Sequence, residues 1–181
     1  RNELGYAYNH FSNYSTVYIA NGGLVSMKNN SIANLVGGYA LQVAGGFSIS
    51  ESDYNNIYTA SGSPVYYGTS QYSTLEAYQA ATGNDMNSVQ TDPNFQTSLT
   101  CITCNDTLSD AGSPSSAADD IMGYTRSLST PDIGATEFVN ANSFTLGGDD
   151  TICGSQVVIE AGPAQSVTWN VNNQTSTQSS V

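Results

Sequence analysis

Basic residues are almost missing from this sequence, because its 181 residues contain only 3 Lys and Arg against 15 Asp and Glu, a formal net charge of -12. After Arg1, the cations are Lys28 and Arg126 alone. Nucleic acids and anionic membranes are bound by clusters of basic side chains that neutralise phosphates. The composition therefore excludes nucleic acid as a partner and electrostatic binding to an anionic membrane.

Long apolar segments are missing as well. The sequence contains no run of about 18 apolar residues, and it does not open on a basic and then apolar leader. We therefore expect no membrane insertion by these residues and no signal peptide. Arg1 falls inside a pattern, and Val181 ends a Ser/Thr tract. We expect the chain to be a piece of a longer exported protein.

Hydroxyl and amide side chains take the place of charges, since Ser, Thr and Asn together supply 61 positions. Charged residues make up 10% of the chain, against roughly 25% in an ordinary soluble domain. A hydrophobic fraction of 39%, with 12 Tyr, is still enough to bury a core. The chain is therefore not a disordered acidic tail.

Short apolar alternations fill the first 60 residues and predict strands too short to be helices. Residues 17–19 recur at 41–43, residues 25–27 at 47–49 and residues 30–32 at 55–57. Three short strands per repeat of about 22 to 25 residues are typical of a β-solenoid coil. An antiparallel sandwich of the same strands is the alternative.

A different pattern begins at Tyr72. Ser73 and Glu76 form a capping box that predicts one short helix ending at Gly83. Residues 91–138 are rich in loops, and strands are predicted again at 157–159 and 167–171. The change of pattern near residues 140–143 predicts a domain boundary.

Five segments in a fixed order carry a first resemblance. They read SDYN at 52–55, YSTLEAYQAATG at 72–83, TDPNF at 91–95, GSP at 112–114 and PDIGATEF at 131–138. Together they resemble the C-terminal end of right-handed parallel β-helix proteins of the pectate-lyase-like superfamily. The resemblance implies that residues 1–139 are the last coils and the cap of such a domain, with one short inserted helix.

A second resemblance covers residues 146–181, after a linker at 140–145. LGGDDTIC at 146–153, Ala161-Gly162, Trp169-Asn170 and TSTQS at 175–179 look like the start of an Ig-like repeat. Such repeats are common in large secreted surface proteins of Bacteroidota, including gliding-motility adhesins. The resemblance implies an all-β chain that ends in a partial Ig-like β-sandwich. It also implies export by the type IX machinery through a distant C-terminal domain, with no visible partner for Cys153.

Catalytic chemistry finds little support in these residues. Polysaccharide lyases of this shape use a Lys or Arg base, and only Lys28 and Arg126 are present. We expect Arg126 to form a structural ion pair in the cap, with Asp132 and Glu137 as the leading partners and Asp119 and Asp120 as others. Glu51 and Asp53 share a strand face, but they are more simply explained as solvated turn residues. We assign no catalytic residue, and although the sequence does not settle the point, it favours a protein that is not an enzyme.

Metal, disulfide and glycan sites are predicted by short patterns. His10 is the only histidine, which argues against zinc, whereas Asp149 and Asp150 could hold calcium. In an exported protein the Cys101–Cys104 CxxC motif favours a local disulfide over a redox motif or half a zinc site. Thr107 and Thr151 lie in the Asp-Thr-aliphatic pattern on which Bacteroidota attach O-glycans. Tyr66, Tyr67 and Tyr72 could stack on sugar rings, although tyrosine is also a common strand residue.

The sequence therefore predicts a non-catalytic segment of a large, secreted cell-surface protein. It would act as an adhesive or structural stalk, as a glycoprotein that meets glycans or surfaces in gliding motility or cell adhesion. No cofactor is predicted apart from calcium. The alternative is the C-terminal part of a secreted β-helix polysaccharide lyase or glycosidase whose active site lies upstream.

Overall fold

The computed structural model describes residues 6–7, 15–20, 24–45, 49–95, 103, 105–140, 152–153, 166–171 and 174–179. Within these residues the fold is all-β with one short α-helix, as the predicted class requires. The strands are β1 (Tyr6–Ala7), β2 (Val17–Ile19), β3 (Val25–Lys28), β4 (Ser31–Asn34), β5 (Leu41–Val43), β6 (Ile49–Asp53), β7 (Asn56–Thr59), β8 (Val65–Tyr67), β9 (Ser70–Tyr72), β10 (Val139–Asn140), β11 (Ile152–Cys153), β12 (Ser166–Val171) and β13 (Gln174–Ser179). The helices are α1 (Leu75–Thr82) and a 3-10 helix (Asp106–Leu108).

Strands of successive repeats pair in parallel, in three sheets. In the sheet of β2, β5 and β8, Val17 pairs with Leu41 and Leu41 pairs with Val65, 24 positions apart each time. The sheet of β1, β4 and β7 pairs Ser31 with Asn56. The predicted recurrences of residues 17–19 and 30–32 are therefore confirmed as strand pairings.

The predicted recurrence of residues 25–27 at 47–49 is wrong, by two residues at Val25 and by three at Met27. β3 pairs with β6, so that Val25 lies opposite Ile49 and Met27 lies opposite Ser52. The register shifts between Val25 and Ser26, because an extra residue in one strand bulges out of the pairing. Phe47, the predicted partner of Val25, lies outside the described residues.

Alternate side chains of the short strands point into one core. Val17 and Ile19 are buried, whereas Tyr18 between them is exposed, as the two-residue period of a strand requires. The side chains directly above and below them belong to the paired strands, so burial repeats from rung to rung. The buried cluster comprises Val17, Ile19, Met27, Ile32, Ala40, Leu41, Val43, Ile57, Val65, Leu75 and Tyr78.

Helix α1 closes one end of this core with Leu75 and Tyr78 buried. Its N-cap is Thr74, whose hydroxyl accepts from the Ala77 backbone N–H at 3.2 Å. The predicted cap at Ser73 is therefore one residue early. The predicted end at Gly83 is confirmed, since this residue adopts a left-handed φ of 73° that favours glycine.

Residues 105–138 form a loop-rich cap with a small core of Leu108, Ile133 and Phe138. Beyond it, Val139 pairs in parallel with Ile152, so backbone pairing bridges the two sides of the predicted linker. β12 and β13 pair antiparallel, and β12 matches the predicted strand at 167–171. The strand predicted at 157–159 lies outside the described residues.

Candidate functional site

A cleft of about 750 Å³ lies between β3 and the cap and is the candidate binding site. It brings together the two cations that follow Arg1 in the sequence. Its walls are Leu24, Val25, Ser26, Lys28, Asn29 and Asn30 on the strand side and Ser113, Pro114, Ser115, Ser116, Ala117, Asp119, Asp120, Ile121, Arg126, Gly134 and Ala135 on the cap side.

Asn29 fastens the two walls of the cleft together. It follows β3 with a left-handed φ of 58°, a conformation that asparagine tolerates better than most residues. Its amide nitrogen donates to the Ser113 carbonyl at 2.9 Å, and its amide oxygen accepts from the Ser113 N–H at 2.8 Å. Gly134 N–H also donates to the Asn29 carbonyl at 3.1 Å. The end of β3 thus fixes the position of the cap.

Lys28 stands at the strand side of the cleft, paired with a carboxylate. Its ammonium lies 2.6 Å from Glu51 Oε1, with both side chains well exposed. An exposed pair of this kind stabilises a fold by roughly 0–1 kcal/mol. Lys28 is therefore positioned for ligand contact, with Glu51 as its ion-pair partner.

Arg126 lies on the cap side, where the other groups of the cap hold its guanidinium. Its guanidinium donates to the Gly134 carbonyl at 3.1 Å and to the Asp132 carbonyl at 2.6 Å. Nε lies 3.2 Å from Glu137 Oε2, as an ion pair without hydrogen-bond alignment. Glu137 is thus the acidic partner, as the sequence predicts. Asp132 contributes through its backbone carbonyl oxygen and not, as predicted, through its carboxylate.

The Asp132 carboxylate is instead buried among backbone donors. Its two oxygens accept from the N–H groups of Asp110 and Phe138, each at 2.7 Å. Burial raises the pKa of Asp132 to about 7. The hydrogen bonds from these two N–H groups lower the pKa, whereas the charges of Glu137 and Asp110 raise it further. Asp132 therefore organises the cap and does not face a substrate.

Asp120 has a similar structural role, and it corrects the idea that it pairs with Arg126. One carboxylate oxygen accepts from the N–H groups of Met122 and Tyr124, and the other accepts from Glu137 N–H at 2.9 Å. Asp119 is exposed beside it. The cleft therefore offers hydroxyls, amides, one exposed ammonium and one exposed carboxylate, a set that suits binding of a polar ligand.

A second polar cluster, the amide ladder, comprises Asn30, Asn55, Asp85, Ser52 and Ser88 inside the strand stack. Asn55 is fully buried, and its amide oxygen accepts from both the backbone N–H and the side-chain amide of Asn30, each at 3.0 Å. Its amide nitrogen donates to Asp85 Oδ1 at 2.9 Å and to the Ser52 hydroxyl at 3.2 Å. The ladder links one rung to the next and both to the segment after α1.

Asp85 is the buried carboxyl group of the amide ladder. One carboxylate oxygen accepts from Asn55 and from the Ser88 hydroxyl at 2.7 Å, whereas Oδ2 is buried without a hydrogen-bond partner. Burial raises the pKa of Asp85, and hydrogen bonds from Asn55, Ser88 and Ser52 oppose that rise. Sequence patterns missed Asp85, although the Asn30–Asn55 recurrence already pointed to the ladder.

The three predicted sugar-stacking tyrosines do not share one surface. Tyr67 and Tyr72 pack edge-on or tilted against the buried ring of Tyr78, with ring centroids 5.7 and 5.5 Å away. Tyr66 points to the other side of β8, where its ring lies 5.4 Å from that of Tyr39. Tyr66 alone of the three is placed on an outward face.

The remaining predicted sites fall partly outside the description. Cys101, Cys104, Asp149, Asp150 and Thr151 lie outside the described residues, so the disulfide, the calcium site and one glycan site stay predictions. Thr107 is exposed on the 3-10 helix, with the Asn105 side chain accepting from its N–H at 2.9 Å. Among the described residues, no group of three or more His, Cys, Asp or Glu is arranged to hold a metal ion.

None of the described segments folds into a helix with the length and apolar character that a bilayer crossing requires. No family model matches this chain, and no curated protein and no solved structure is significantly similar to it.

Proposed function

We propose that this chain is a non-catalytic segment of a large exported cell-surface protein, in which coils of a right-handed parallel β-helix form a rigid adhesive stalk. The observation that carries the proposal is the in-register parallel pairing of successive rungs, Val17 with Leu41 and Leu41 with Val65. A rod of stacked rungs transmits force along its axis through many short strands, each contacting only its neighbours. An Ig-like repeat would continue the stalk from residue 146.

Rigidity is supported by the amide ladder. A buried hydrogen-bonded network is satisfied in one register only, because a slip of one residue would leave its donors and acceptors unpaired in the core. The Asn55 side chain makes four hydrogen-bond contacts within this network and a fifth to the Met27 carbonyl. Such a network favours a stack that resists shear between rungs, as a load-carrying segment requires.

Adhesion would use the outward face of the β2–β5–β8 sheet. Tyr18, Gln42 and Tyr66 lie opposite one another on the three strands and form an outward row. With a strand spacing of about 4.8 Å, the two tyrosines are about 10 Å apart. This spacing suits alternate rings of a linear glycan, one stacked on each tyrosine, with the Gln42 amide between them to hydrogen-bond hydroxyls of the intervening ring.

Charge narrows the class of ligand. A net charge of -12 repels polyuronates and other anionic polymers, so neutral glycans on a cell or substrate surface are the proposed partners. The same acidity keeps long exposed stalks apart and soluble. The proposed setting is the outside of a bacterial cell, with export by a type IX pathway and a role in gliding or attachment.

The test is adhesion of beads coated with the chain to surfaces bearing a neutral glucan or a polyuronate. We expect the wild-type chain to be retained on the neutral glucan. Retention should fall about tenfold in Tyr66→Ser and in Tyr18→Ser, because stacking contributes on the order of 1 kcal/mol per ring. Retention should change little in Tyr124→Ser. Tyr124 is the control because it is an exposed cap tyrosine outside the row.

Retention that is equal in all variants would contradict the adhesive row. Release of new reducing ends or unsaturated uronates from either polymer would contradict the non-catalytic assignment and favour the polysaccharide lyase or glycosidase.

A further inference from the structure

One peptide bond in this chain combines a reactive pair of residues with neighbours that hold it in place. Asp92–Pro93 is the only Asp-Pro bond in the sequence. An aspartic side chain can attack its own carbonyl carbon through a five-membered ring, and a proline nitrogen leaves more readily than an ordinary amide nitrogen because its amide is tertiary. The surrounding residues hold both the Asp92 side and the Pro93 side of this bond in place.

The Asp92 side chain is held next to the bond. Its Oδ1 accepts from the Asn94 N–H at 2.9 Å, and the ring that this hydrogen bond closes contains the Asp92 carbonyl carbon and the Pro93 nitrogen. Its Oδ2 accepts from the Tyr58 hydroxyl at 3.4 Å. Asp92 is exposed, so water reaches its carboxyl group.

The Asp92 carbonyl oxygen has a fixed hydrogen-bond donor. The Asn105 amide nitrogen donates to it at 2.6 Å and to the Thr91 hydroxyl at 2.8 Å. Asn105 is itself held in place, because its amide oxygen accepts from Thr107 N–H. A preorganised donor at a carbonyl oxygen stabilises the negative charge that develops there when the carbon is attacked.

The leaving side of the bond is also fixed. Pro93 is buried, and its carbonyl oxygen accepts from the Thr103 hydroxyl. On the other side, Thr91 N–H donates to the Asn56 side chain at 3.0 Å. Residues 91–94 are therefore clamped at both ends while the reacting carboxyl group remains open to solvent.

We propose that Asp92–Pro93 is a built-in self-cleavage site, at which the Asp92 carboxyl attacks its own carbonyl carbon and the Asn105 amide stabilises the oxyanion. The protonated carboxyl adds its hydroxyl oxygen to the carbonyl carbon, and its proton passes to the Pro93 nitrogen. The carbon–nitrogen bond then breaks, which releases Pro93 as a secondary amine and leaves a cyclic anhydride on Asp92. Water opens the anhydride, so one water molecule is consumed and Asp92 becomes a new C-terminus.

Cleavage would be promoted by acid, because the attacking carboxyl group must carry a proton. The two pieces would remain together in the folded protein. The Asn29–Ser113 contacts still join the cap to β3 after the chain is cut. The cut would therefore appear under denaturing conditions and weaken the stack only when force is applied.

The primary test compares the full chain, folded and in concentrated guanidinium chloride, at the same mildly acidic pH near 4 to 5, with the fold checked by circular dichroism. Intact-mass measurement follows two pieces whose summed mass exceeds that of the chain by one water, and N-terminal sequencing of the second piece should begin Pro93-Asn94-Phe95. We expect the folded chain to cleave at least about tenfold faster than the unfolded chain. A smaller ratio would overturn the proposal, since acid lability of the bond alone would then explain the cut.

Matched variants test the assigned roles. Asn105→Asp keeps an oxygen for Thr107 N–H but removes the donor to Asp92, and Asn105→Ala removes the donor without adding charge. Both should cleave about tenfold more slowly than the wild type when folded and equally fast when unfolded. Asn84→Asp makes the same amide-to-acid change at a half-buried site and should leave the rate unchanged. Wild-type rates in both folded Asn105 variants, or any cleavage at this bond in Asp92→Asn as fast as in the wild type, would refute the mechanism.

Discussion

Removal of the Asn55 side chain is the most direct test of how the strand stack is held together. Asn55→Ala removes five hydrogen-bond contacts from a fully buried position, two accepted by its amide oxygen from Asn30 and three in which the two hydrogens of its nitrogen are shared among Met27, Ser52 and Asp85. The Asn30 side-chain amide keeps a bond to the Lys28 carbonyl at 3.0 Å, and Asp85 keeps Ser88. The Asn30 backbone N–H loses the acceptor that it had in Asn55.

The expected loss of stability follows from these contacts. A typical buried hydrogen bond contributes about 0.5–1.5 kcal/mol, a bond to a charged group contributes more, and a buried donor left without a partner costs about 1–3 kcal/mol. Because several partners keep a second contact, the sum is well below five full bonds. We expect Asn55→Ala to lower the free energy of unfolding by about 3–5 kcal/mol.

The assay is equilibrium unfolding in guanidinium chloride followed by circular dichroism, with Asn87→Ala as the matched control. Asn87 is exposed and its amide donates to Asp53 at 2.7 Å, so its removal should cost at most about 0.5–1 kcal/mol. The midpoint should fall in Asn55→Ala without a change in slope. A loss no larger than that of Asn87→Ala would show that the ladder does not stabilise the stack, and it would remove the argument for rigidity.

Three further predictions concern the cap. Burial raises the pKa of Asp132 from an ordinary value near 4 to about 7 in the folded chain, so the folded state binds this proton more tightly and stability should fall as pH rises through that window. Thermal unfolding should show a larger loss of stability between pH 5 and pH 7 in the wild type than in Asp132→Asn, and equal losses would contradict the assignment. Gly112→Ala should lower the free energy of unfolding by about 1–3 kcal/mol, because its Cβ would lie 2.6 Å from the Pro131 carbonyl oxygen; an unchanged midpoint in denaturant would show that the loop yields. Chain isolated from its exporting cell should carry a sugar-sized mass on the exposed Thr107, seen in peptide mass spectra and lost in Thr107→Val, whereas an unmodified peptide would count against the glycan site.

The strand stack was predictable because its information is local and repeated. The recurrence of residues 17–19 at 41–43 reports side chains that lie above one another, and the structure pairs them in that register. The same reasoning failed at β6, because a shift of two residues keeps the same strand face toward the core and satisfies the apolar pattern equally well. The register shift between Val25 and Ser26 then adds one more residue. Sequence reasoning also placed the N-cap of α1 at Ser73 and not at the neighbouring Thr74. Both residues carry a hydroxyl group, and the backbone conformation determines which of them caps the helix.

The candidate sites were less predictable because they depend on contacts between distant residues. The Asn29–Ser113 pair joins residues 84 positions apart, and nothing in either local pattern indicates the other. Asp85 follows α1 in what looks like a polar loop, yet it is buried against Asn55. The sequence pattern suggested that Tyr67 and Tyr72 are surface aromatics, whereas both rings pack against Tyr78 of α1.

Closure of the strand stack explains why adhesion would occur on its side and not at its end. An open strand edge is a template for pairing with another chain. At the end of the stack next to α1, β9 pairs antiparallel with β8, and Val89 bridges to Asn56 of β7. These contacts occupy the edges that further rungs of another copy would need. The outward row of Tyr18, Gln42 and Tyr66 stays accessible because its side chains project away from the core. The proposed stalk would thus avoid end-to-end association at the closed end and still present a repeated face to a ligand.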